Sequence, residues 1–501
     1  MADSSKLGSL AKQTAIYGLS SIIGRFLNYL LVPLYTYKIC AEAGGPAAYG
    51  LVTNFYAYTA LLLVILTFGM ETTFFRFANK EGSDPDRTFS TAAIAVGLVS
   101  LVFLALVSVF LAPISNALHY AEHPEFVEIM AIIVAFDAFQ AILFARLRYE
   151  NRPLKFAALK LLFIFLSIGM NLFVFLVAPG WKESHPALMG WYENSYQVGY
   201  IFFVNLICTT VITLGFIPEL KKLRFGLDRA LLKRMLRYTW PLLLLGLAGI
   251  LNQVADKICY RFIVPGKEGD AQLGIYGACV KIAMLMAMIT QAFRYAYEPF
   301  VFGGKRDKND KLLQAKVMKY FIICTLLAFL AVMMYMPLLQ HFVGEAYREG
   351  LGVIPIVMMA EIFMGIYFNL SFWYKLIDET WWGAIFSGIG CAVLIAINFI
   401  FVPRYGYWAC AWGGFAGYGT CMVLSYFVGQ KKAPIPYNLK SAFVYFALAV
   451  VLFFAQRFIN IESKAWTLVV NTLLLLVFCA FACWKERDLV KAVLEKIKVK
   501  R

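Results

Sequence analysis

The chain has 501 residues, of which 61% are hydrophobic and 15% charged, and its formal net charge is +16. A soluble protein of average composition is about 45–50% apolar and about 25% charged, so this chain has too few polar side chains to cover a surface exposed to water. The composition excludes a water-soluble enzyme, a disordered protein and a disulfide scaffold, and it indicates a polytopic membrane protein.

Apolar runs long enough to cross a bilayer as a helix, about 20 residues each, occur along the whole chain. Fourteen predicted spans centre on 10–37, 49–75, 88–111, 127–144, 156–177, 196–216, 238–264, 276–302, 317–339, 353–376, 382–401, 407–428, 442–458 and 466–484. Lys and Arg concentrate in alternate connecting segments, as in cytoplasmic loops, so the positive charge does not indicate nucleic-acid binding. We therefore predict an all-α protein with 14 transmembrane helices and both termini in the cytoplasm.

An internal repeat divides the first twelve of these helices into two sets of six. The matching residues, each 227 positions apart, are Tyr49 and Tyr276, Gly50 and Gly277, Glu71 and Glu298, Phe75 and Phe302, and Asn171 and Asn398. Because each copy holds six helices, both enter the membrane in the same direction, and their twofold axis runs along the membrane normal. The predicted units are an N-lobe (1–217), a C-lobe (218–430), a helix pair (431–484) and a basic cytoplasmic tail (485–501).

Ionisable residues inside predicted spans indicate a polar interior, because a charge in the bilayer core usually faces the bundle or a wet cavity. In the first predicted helix, Ser21, Arg25 and Asn28 recur at three- and four-residue spacing and share one face. We expect this face to line a central cavity. The alternative is that Arg25 forms a structural pair with a neighbouring carboxylate.

More cations follow in the seventh and eighth helices, together with a polar Gln291. The hypothesis is a cationic cavity that binds a diphosphate, formed by Arg25, Lys257, Lys281 and Arg294. Structural alternatives stay open: Asp256 neutralises Lys257 or Arg261, Arg261 and Lys281 each reach the membrane interface, and Glu298 pairs with Arg294.

Carboxylates within the spans are candidate sites for a coupling ion, H⁺ or Na⁺, with a structural hydrogen-bonding role as the alternative. They are Asp137, Asp256, Glu298 and Glu361. Glu71, the repeat counterpart of Glu298, is expected to pair with Arg76. The Cys and His residues lack metal-ligand spacing, so neither a metal site nor a cofactor is expected.

Three segments resemble the polysaccharide-transporter (Wzx-like) oligosaccharide flippases. These are YGLVTNFYAYTALLLVILTFGMETTFFRF at 49–77, FWYKLIDET at 372–380 and INFIFVPRYGYWACAW at 397–412. That family belongs to the multidrug/oligosaccharidyl-lipid/polysaccharide exporter superfamily, together with lipid II flippases and multidrug and toxin extrusion antiporters. The resemblance extends over essentially the whole chain and implies the 14-helix fold.

The resemblance implies a transporter, not an enzyme, in the bacterial cytoplasmic (inner) membrane. Its implied substrate is an undecaprenyl-diphosphate-linked oligosaccharide, an O-antigen, capsule or exopolysaccharide unit, moved from the inner to the outer leaflet by alternating access. Membrane lipids and other polysaccharide-assembly membrane proteins are the implied partners. Arg25 matches the first-helix cavity arginine of the family best, and helices 13 and 14 are implied to form a groove for the lipid tail.

Other function classes are less consistent with the residues. The main alternative is a cation-coupled multidrug exporter on the same fold, with Asp256 or Asp137 as its coupling carboxylate. A membrane-embedded glycosyltransferase or polymerase would need a larger outer loop than 179–195. An ATP-driven pump is excluded because the sequence around Gly304 and Lys305 lacks the spacing of a Walker A loop.

Overall fold

The fold of the chain is helical throughout the part that the structure, a computed structural model, describes. That part comprises residues 26–27, 29–80, 82–224, 226–303, 308–377, 379–459 and 463–487, and no strand occurs within it. Twelve helices there are long and apolar enough to cross a membrane. The predicted class, an all-α protein with many spans, is confirmed.

Fifteen main helices are named here in chain order. They are α1 (Leu31–Lys38), α2 (Pro46–Thr67), α3 (Met70–Ala78), α4 (Pro85–Val109), α5 (Pro124–Tyr149), α6 (Pro153–Leu172), α7 (Gln197–Leu214), α8 (Arg229–Ile263), α9 (Lys267–Gly303), α10 (Lys308–Met334), α11 (Ile354–Leu370), α12 (Trp381–Tyr405), α13 (Tyr407–Lys432), α14 (Leu439–Phe458) and α15 (Lys464–Lys485). Short helical segments at Leu111–Ala117, Phe173–Val177, Ala178–Ser184, Glu345–Val353 and Phe372–Leu376 extend several of them.

Two helices differ from their predicted bounds for reasons visible in the sequence. The second predicted span is broken between α2 and α3, where Phe68 and Gly69 have φ of 35° and 71°. A chain can turn in this left-handed region most easily at glycine. Helix α8 begins within the predicted loop before residue 238, because the Asp228 carboxylate accepts a hydrogen bond from the Leu231 amide (2.9 Å) and caps it.

Helix α2 lies at the centre of the bundle. It packs against α5 of the N-terminal half and against α8 and α9 of the C-terminal half. Gly50 on α2 approaches the Asp270 carbonyl, and Gly274 on α9 approaches the Pro46 carbonyl, so closely that a Cβ at either glycine would overlap the opposite backbone. Small residues of this kind allow membrane helices to cross at close range.

We name the two ends of the bundle by one residue each. The Arg261 end contains the end of α8 and the starts of α2 and α9. The Arg76 end contains α3 and the start of α8, where Arg76 lies over the Tyr238 ring at 4.1 Å.

Ion pairs are dense at the Arg76 end. Arg146 contacts both Asp86 (2.5 Å) and Glu150 (2.8 Å). Glu219 is only 1% exposed and is neutralised by Arg152 (2.8 Å) and Lys155 (2.5 Å). A buried carboxylate would be costly without such partners, so this network fixes the ends of α4, α5 and α6 relative to one another.

The expected pair of Glu71 with Arg76 is wrong. Glu71 instead pairs with Arg148 at the end of α5. The reason is helical geometry, because residues five apart project about 140° away from each other, and Arg76 faces the Tyr238 ring.

The last two helices, α14 and α15, dock on α10 through polar contacts near both ends. Lys319 on α10 pairs with Glu486 (2.6 Å), which also accepts from Tyr445 of α14 (3.2 Å). Asn471 on α15 donates to the Met334 carbonyl (2.6 Å). These contacts fix the helix pair to the C-terminal half of the protein.

Candidate functional site

A cluster of ionisable side chains lies where α8, α9 and α11 meet. Asp256 on α8 is 6% exposed, and its carboxylate is 2.9 Å from Lys257 Nζ. Tyr276 on α9 donates a hydrogen bond of 2.7 Å to the same carboxylate. Lys257 Nζ also donates to the Gln253 carbonyl (3.1 Å). Asp256 therefore neutralises Lys257, which was one of the two alternatives that the sequence left open.

Two more charged residues of the candidate set interact electrostatically with this pair. Lys257 repels the like charge of Lys281 on α9 and attracts the opposite charge of Glu361 on α11. Asp256 repels the like charge of Glu361. Among the described residues, Lys281 forms no ion pair and Glu361 Oε2 has no hydrogen-bond partner. The structure thus brings four of the predicted residues together, two cations and two carboxylates. Of the two cations, Lys257 has a carboxylate partner and Lys281 has none among the described residues.

Arg294 lies further along α9, and its guanidinium is 4.4 Å from the centre of the Phe368 ring on α11. Such a cation–π contact holds the charged group against an apolar surface. Gln291, one turn before it, is half-buried. The side chain of Glu298 is outside the part that the structure describes, so its pairing with Arg294 stays a prediction.

Asp137 belongs to a different group of residues in the N-terminal half. Its carboxylate accepts a hydrogen bond from Thr209 Oγ1 on α7 (3.5 Å), and the charge of Lys160 on α6 acts on it. Gln140, one turn on, donates to the Thr209 carbonyl (2.9 Å) and to Thr213 (2.8 Å). Asp137 is therefore held in a polar contact between helices, apart from the C-terminal cluster.

Arg25, Ser21 and Asn28 lie outside the described residues. Their assignment to a cavity stays a prediction from the sequence. Helix α1, which follows them in the chain, packs against α2, α6 and α9.

The structure also shows polar residues that the sequence analysis did not select. Tyr276 holds Asp256, and Tyr418 on α13 is near both Asp256 and Glu361. Asn54 on α2 is 0% exposed and donates to the Lys257 carbonyl (3.1 Å). The sequence analysis noted Tyr276 only as the counterpart of Tyr49 in the predicted repeat. A tyrosine in an apolar span can serve packing or hydrogen bonding, and the sequence does not distinguish the two.

The comparisons with known proteins agree with this architecture. The chain is similar to a lipid II flippase, MurJ, in an inward closed conformation, with a TM-score of 0.72, 16% identity, and coverage of 95% of this chain and 99% of that one. It is also similar to an inward-facing multidrug resistance MATE family transporter of the MOP superfamily, with a TM-score of 0.60, 15% identity, and coverage of 83% and 97%. At these identities the likeness shows the fold alone.

A search of curated protein sequences gives no match. Residues 10–297, more than half of the chain, match the family described as polysaccharide biosynthesis protein. The fold is like that of these two membrane proteins, and the predicted family resemblance is confirmed. This chain therefore belongs to the polysaccharide biosynthesis protein family, and its fold is like that of a lipid II flippase and of a multidrug resistance transporter.

Proposed function

We propose that this protein moves an undecaprenyl-diphosphate-linked oligosaccharide from the inner to the outer leaflet of a bacterial cytoplasmic membrane. In this proposal the first predicted span and α13 join the twelve long apolar helices to give 14 spans with cytoplasmic termini. The Arg76 end then faces the cytoplasm and the Arg261 end faces outward. The lobes 1–217 and 218–430 rock about the central site, and the pair 431–484 forms a groove for the lipid tail.

The observation that supports this function best is the charged cluster of α8, α9 and α11. A diphosphate needs cations that can exchange their protein partners for phosphate oxygens. Lys281 is available for this role, and Lys257 would exchange Asp256 for phosphate when substrate binds. Arg294 and Arg25 complete the proposed binding set, with Gln291, Ser21 and Asn28 as neutral polar groups.

The direction of transport also has a physical basis. Moving one negative charge outward across a membrane that is negative inside gains about 2.3 kcal/mol per 100 mV. Asp256, once released from Lys257, would in addition be free to take up H⁺ or Na⁺, and Glu361 is a second candidate for that uptake. Asp137 and Glu298 are the remaining candidates for ion coupling.

The test is a gene deletion followed by joint analysis of lipid extracts and surface polysaccharide. We expect surface glycan to disappear while complete undecaprenyl-diphosphate-linked oligosaccharide accumulates facing the cytoplasm. Unchanged surface glycan and unchanged lipid extracts would contradict the proposal.

A second candidate, a cation-coupled exporter of small molecules, is favoured by the likeness to a MATE family transporter. It predicts that cells lacking the protein accumulate a cationic dye while their surface glycan is unchanged. The same deletion strain therefore discriminates between the two functions.

A further inference from the structure

Arg261, near the end of α8, connects the two halves of the protein. It is 6% exposed, and its guanidinium Nη2 donates to the His119 carbonyl of the N-terminal half (2.7 Å). The same group lies over the Tyr120 ring at 4.2 Å. Within its own half, Arg261 Nε is 2.8 Å from the Asp270 carboxylate. The sequence left open that Arg261 reaches the membrane interface. The structure instead places its side chain in a buried contact between the halves.

A second contact between the halves lies one turn deeper and shares Tyr120. The Tyr120 hydroxyl donates to Asn54 Oδ1 (3.1 Å), and Asn54 Nδ2 donates to the Lys257 carbonyl (3.1 Å). Tyr120 is 3% exposed and Asn54 is 0% exposed. The two contacts thus form one continuous chain of groups that runs from Arg261 to the backbone of the charged cluster.

The backbone around this chain is shaped to hold it. His119, which supplies the carbonyl, has φ of 60° and closes the short helix Leu111–Ala117. The Tyr120 amide donates to the Ser115 carbonyl (2.7 Å) and the His119 amide to the Asn116 carbonyl (3.1 Å), the pattern of a helix end closed by a left-handed residue, and this end presents the His119 carbonyl to Arg261. The close crossing of α2 and α9 at Gly50 and Gly274 lies at the same end.

These contacts are also arranged so that they can be released. If the halves separate at this end, Arg261 loses the His119 carbonyl and the Tyr120 ring but keeps the Asp270 carboxylate of its own half. Its charge therefore stays compensated in both states. A buried cation whose only partners lay across the interface would resist separation far more strongly.

We propose that Arg261, Tyr120 and Asn54 form a releasable latch that closes the Arg261 end of the transporter. The Asn54 bond to the Lys257 carbonyl places the latch in direct contact with the charged cluster, so movement of α8 on substrate binding would act on it. The inference deepens the proposed function and rests on it for the claim that the Arg261 end opens during transport.

The test is hydrogen–deuterium exchange of the purified full-length protein in lipid nanodiscs, without substrate. In Arg261→Ala, we expect deuterium uptake at 116–123 and 264–275 to rise severalfold, with uptake at 69–78 and 235–243 unchanged or lower. The control is Arg404→Ala, which removes an exposed arginine that lies 5.6 Å from the centre of the ring of its neighbour Tyr405. It should match the wild type.

An equal rise at both ends would indicate general destabilisation and would overturn the proposal, as would unchanged uptake at the Arg261 end or the same response in Arg404→Ala. Tyr120→Phe provides a milder variant, because it keeps the ring under Arg261 and removes only the hydroxyl, with its bonds to Asn54 Oδ1 (3.1 Å) and to the Leu51 carbonyl (3.4 Å). It should give a smaller rise confined to the Arg261 end, and no rise would contradict the shared role of Tyr120. Since no substrate is present, this result is independent of whether the deletion strain accumulates lipid-linked glycan.

Discussion

Asn171 and Asn398 are counterparts in the predicted repeat, but their side chains have different surroundings. Asn171 accepts a hydrogen bond from Tyr35 (2.9 Å) and donates to the Ser167 carbonyl (2.8 Å). Asn398 is 0% exposed, and neither of its amide atoms has a partner in the part of the chain that the structure describes. The two positions therefore share a residue type but not its contacts.

This difference predicts unequal costs for the same substitution. Asn171→Leu should lower the free energy of unfolding by about 1 kcal/mol, because it leaves the buried Tyr35 hydroxyl without its acceptor. Asn398→Leu should be close to neutral, since no hydrogen bond is lost. Thermal unfolding in the same detergent measures both, and equal losses would contradict the assignment.

Lys281 is the residue of the charged cluster whose replacement tests substrate binding most simply. Lys281→Gln should leave membrane insertion unchanged and reduce glycan export roughly tenfold or more, the value of one charge-assisted contact. Lys281→Arg keeps the charge and should retain most of the export. The readout is surface glycan per unit of protein in the membrane, and near-normal export by Lys281→Gln would remove Lys281 from the proposed site.

For Arg25, a similar prediction of lost transport rests on the sequence alone. Arg25→Ala should leave insertion intact but sharply lower flipping, because the proposed first-helix cation would be lost. The same surface-glycan assay measures it. Transport close to that of the wild type would refute the role of Arg25.

Among the described residues, the candidates Asp137, Asp256, Lys257, Lys281, Arg294 and Glu361 lie on helices within the predicted spans, but sequence reasoning left their partners open. Adjacent residues such as Asp256 and Lys257 project from a helix about 100° apart, so their pairing depends on rotamers and on Tyr276 from another helix. Arg261 finds its carbonyl partner 142 positions away. Contacts of this kind follow from how helices pack, which no local pattern encodes.

At the scale of helices, the crossing of α2 and α9 depends on glycine. Gly50→Ala would place a Cβ against the Asp270 carbonyl, and such overpacking costs about 1–3 kcal/mol. Gly388→Ala on α12 is the matched control, since a Cβ there meets nothing within 4 Å and alanine favours the helix. Thermal unfolding should show a loss for the first variant only, and equal midpoints would contradict the close crossing.

The start of α4 predicts a dependence of stability on pH. The Arg87 amide, together with the Asp86 amide and the Arg224 charge, holds the pKa of Asp84 below its ordinary value of 3.8. A lowered carboxyl pKa stabilises the folded protein above that ordinary value, and the stabilisation is lost as the pH falls through the lowered pKa.

Wild type should therefore unfold at a slightly higher temperature than Asp84→Asn at pH 7. The difference should shrink as the pH falls below 3.8. A difference that stays constant down to acidic pH would show that the charge of Asp84 does not contribute.

The bounds of the helices were largely predictable, since apolar length, proline and capping residues specify them locally. The break at Gly69 and the cap at Asp228 use signals that were present in the sequence but compete with the surrounding apolar pattern. The π-helical turn at Phe173–Val177 had no such signal, because apolar residues there suit an α-helix equally well.

For the whole molecule, composition and apolar run length were sufficient to predict an all-α polytopic membrane protein, and the family resemblance added the expectation of a transporter. The family match over 10–297 and the MurJ-like fold agree with that prediction. The chemistry of the glycan could not be predicted, because sugars are recognised by scattered polar and aromatic side chains rather than by a motif with fixed spacing.

The most direct test of the central claim is a flipping assay with purified protein in liposomes that carry an imposed membrane potential. The probe is undecaprenyl-diphosphate-linked oligosaccharide extracted from the deletion strain, and the readout is the fraction accessible to an external glycosidase or to periodate. We predict that the protein accelerates exchange of the probe between leaflets and that Lys281→Gln does so far more slowly. Exchange no faster than in protein-free liposomes, with a cationic dye transported instead, would contradict the account.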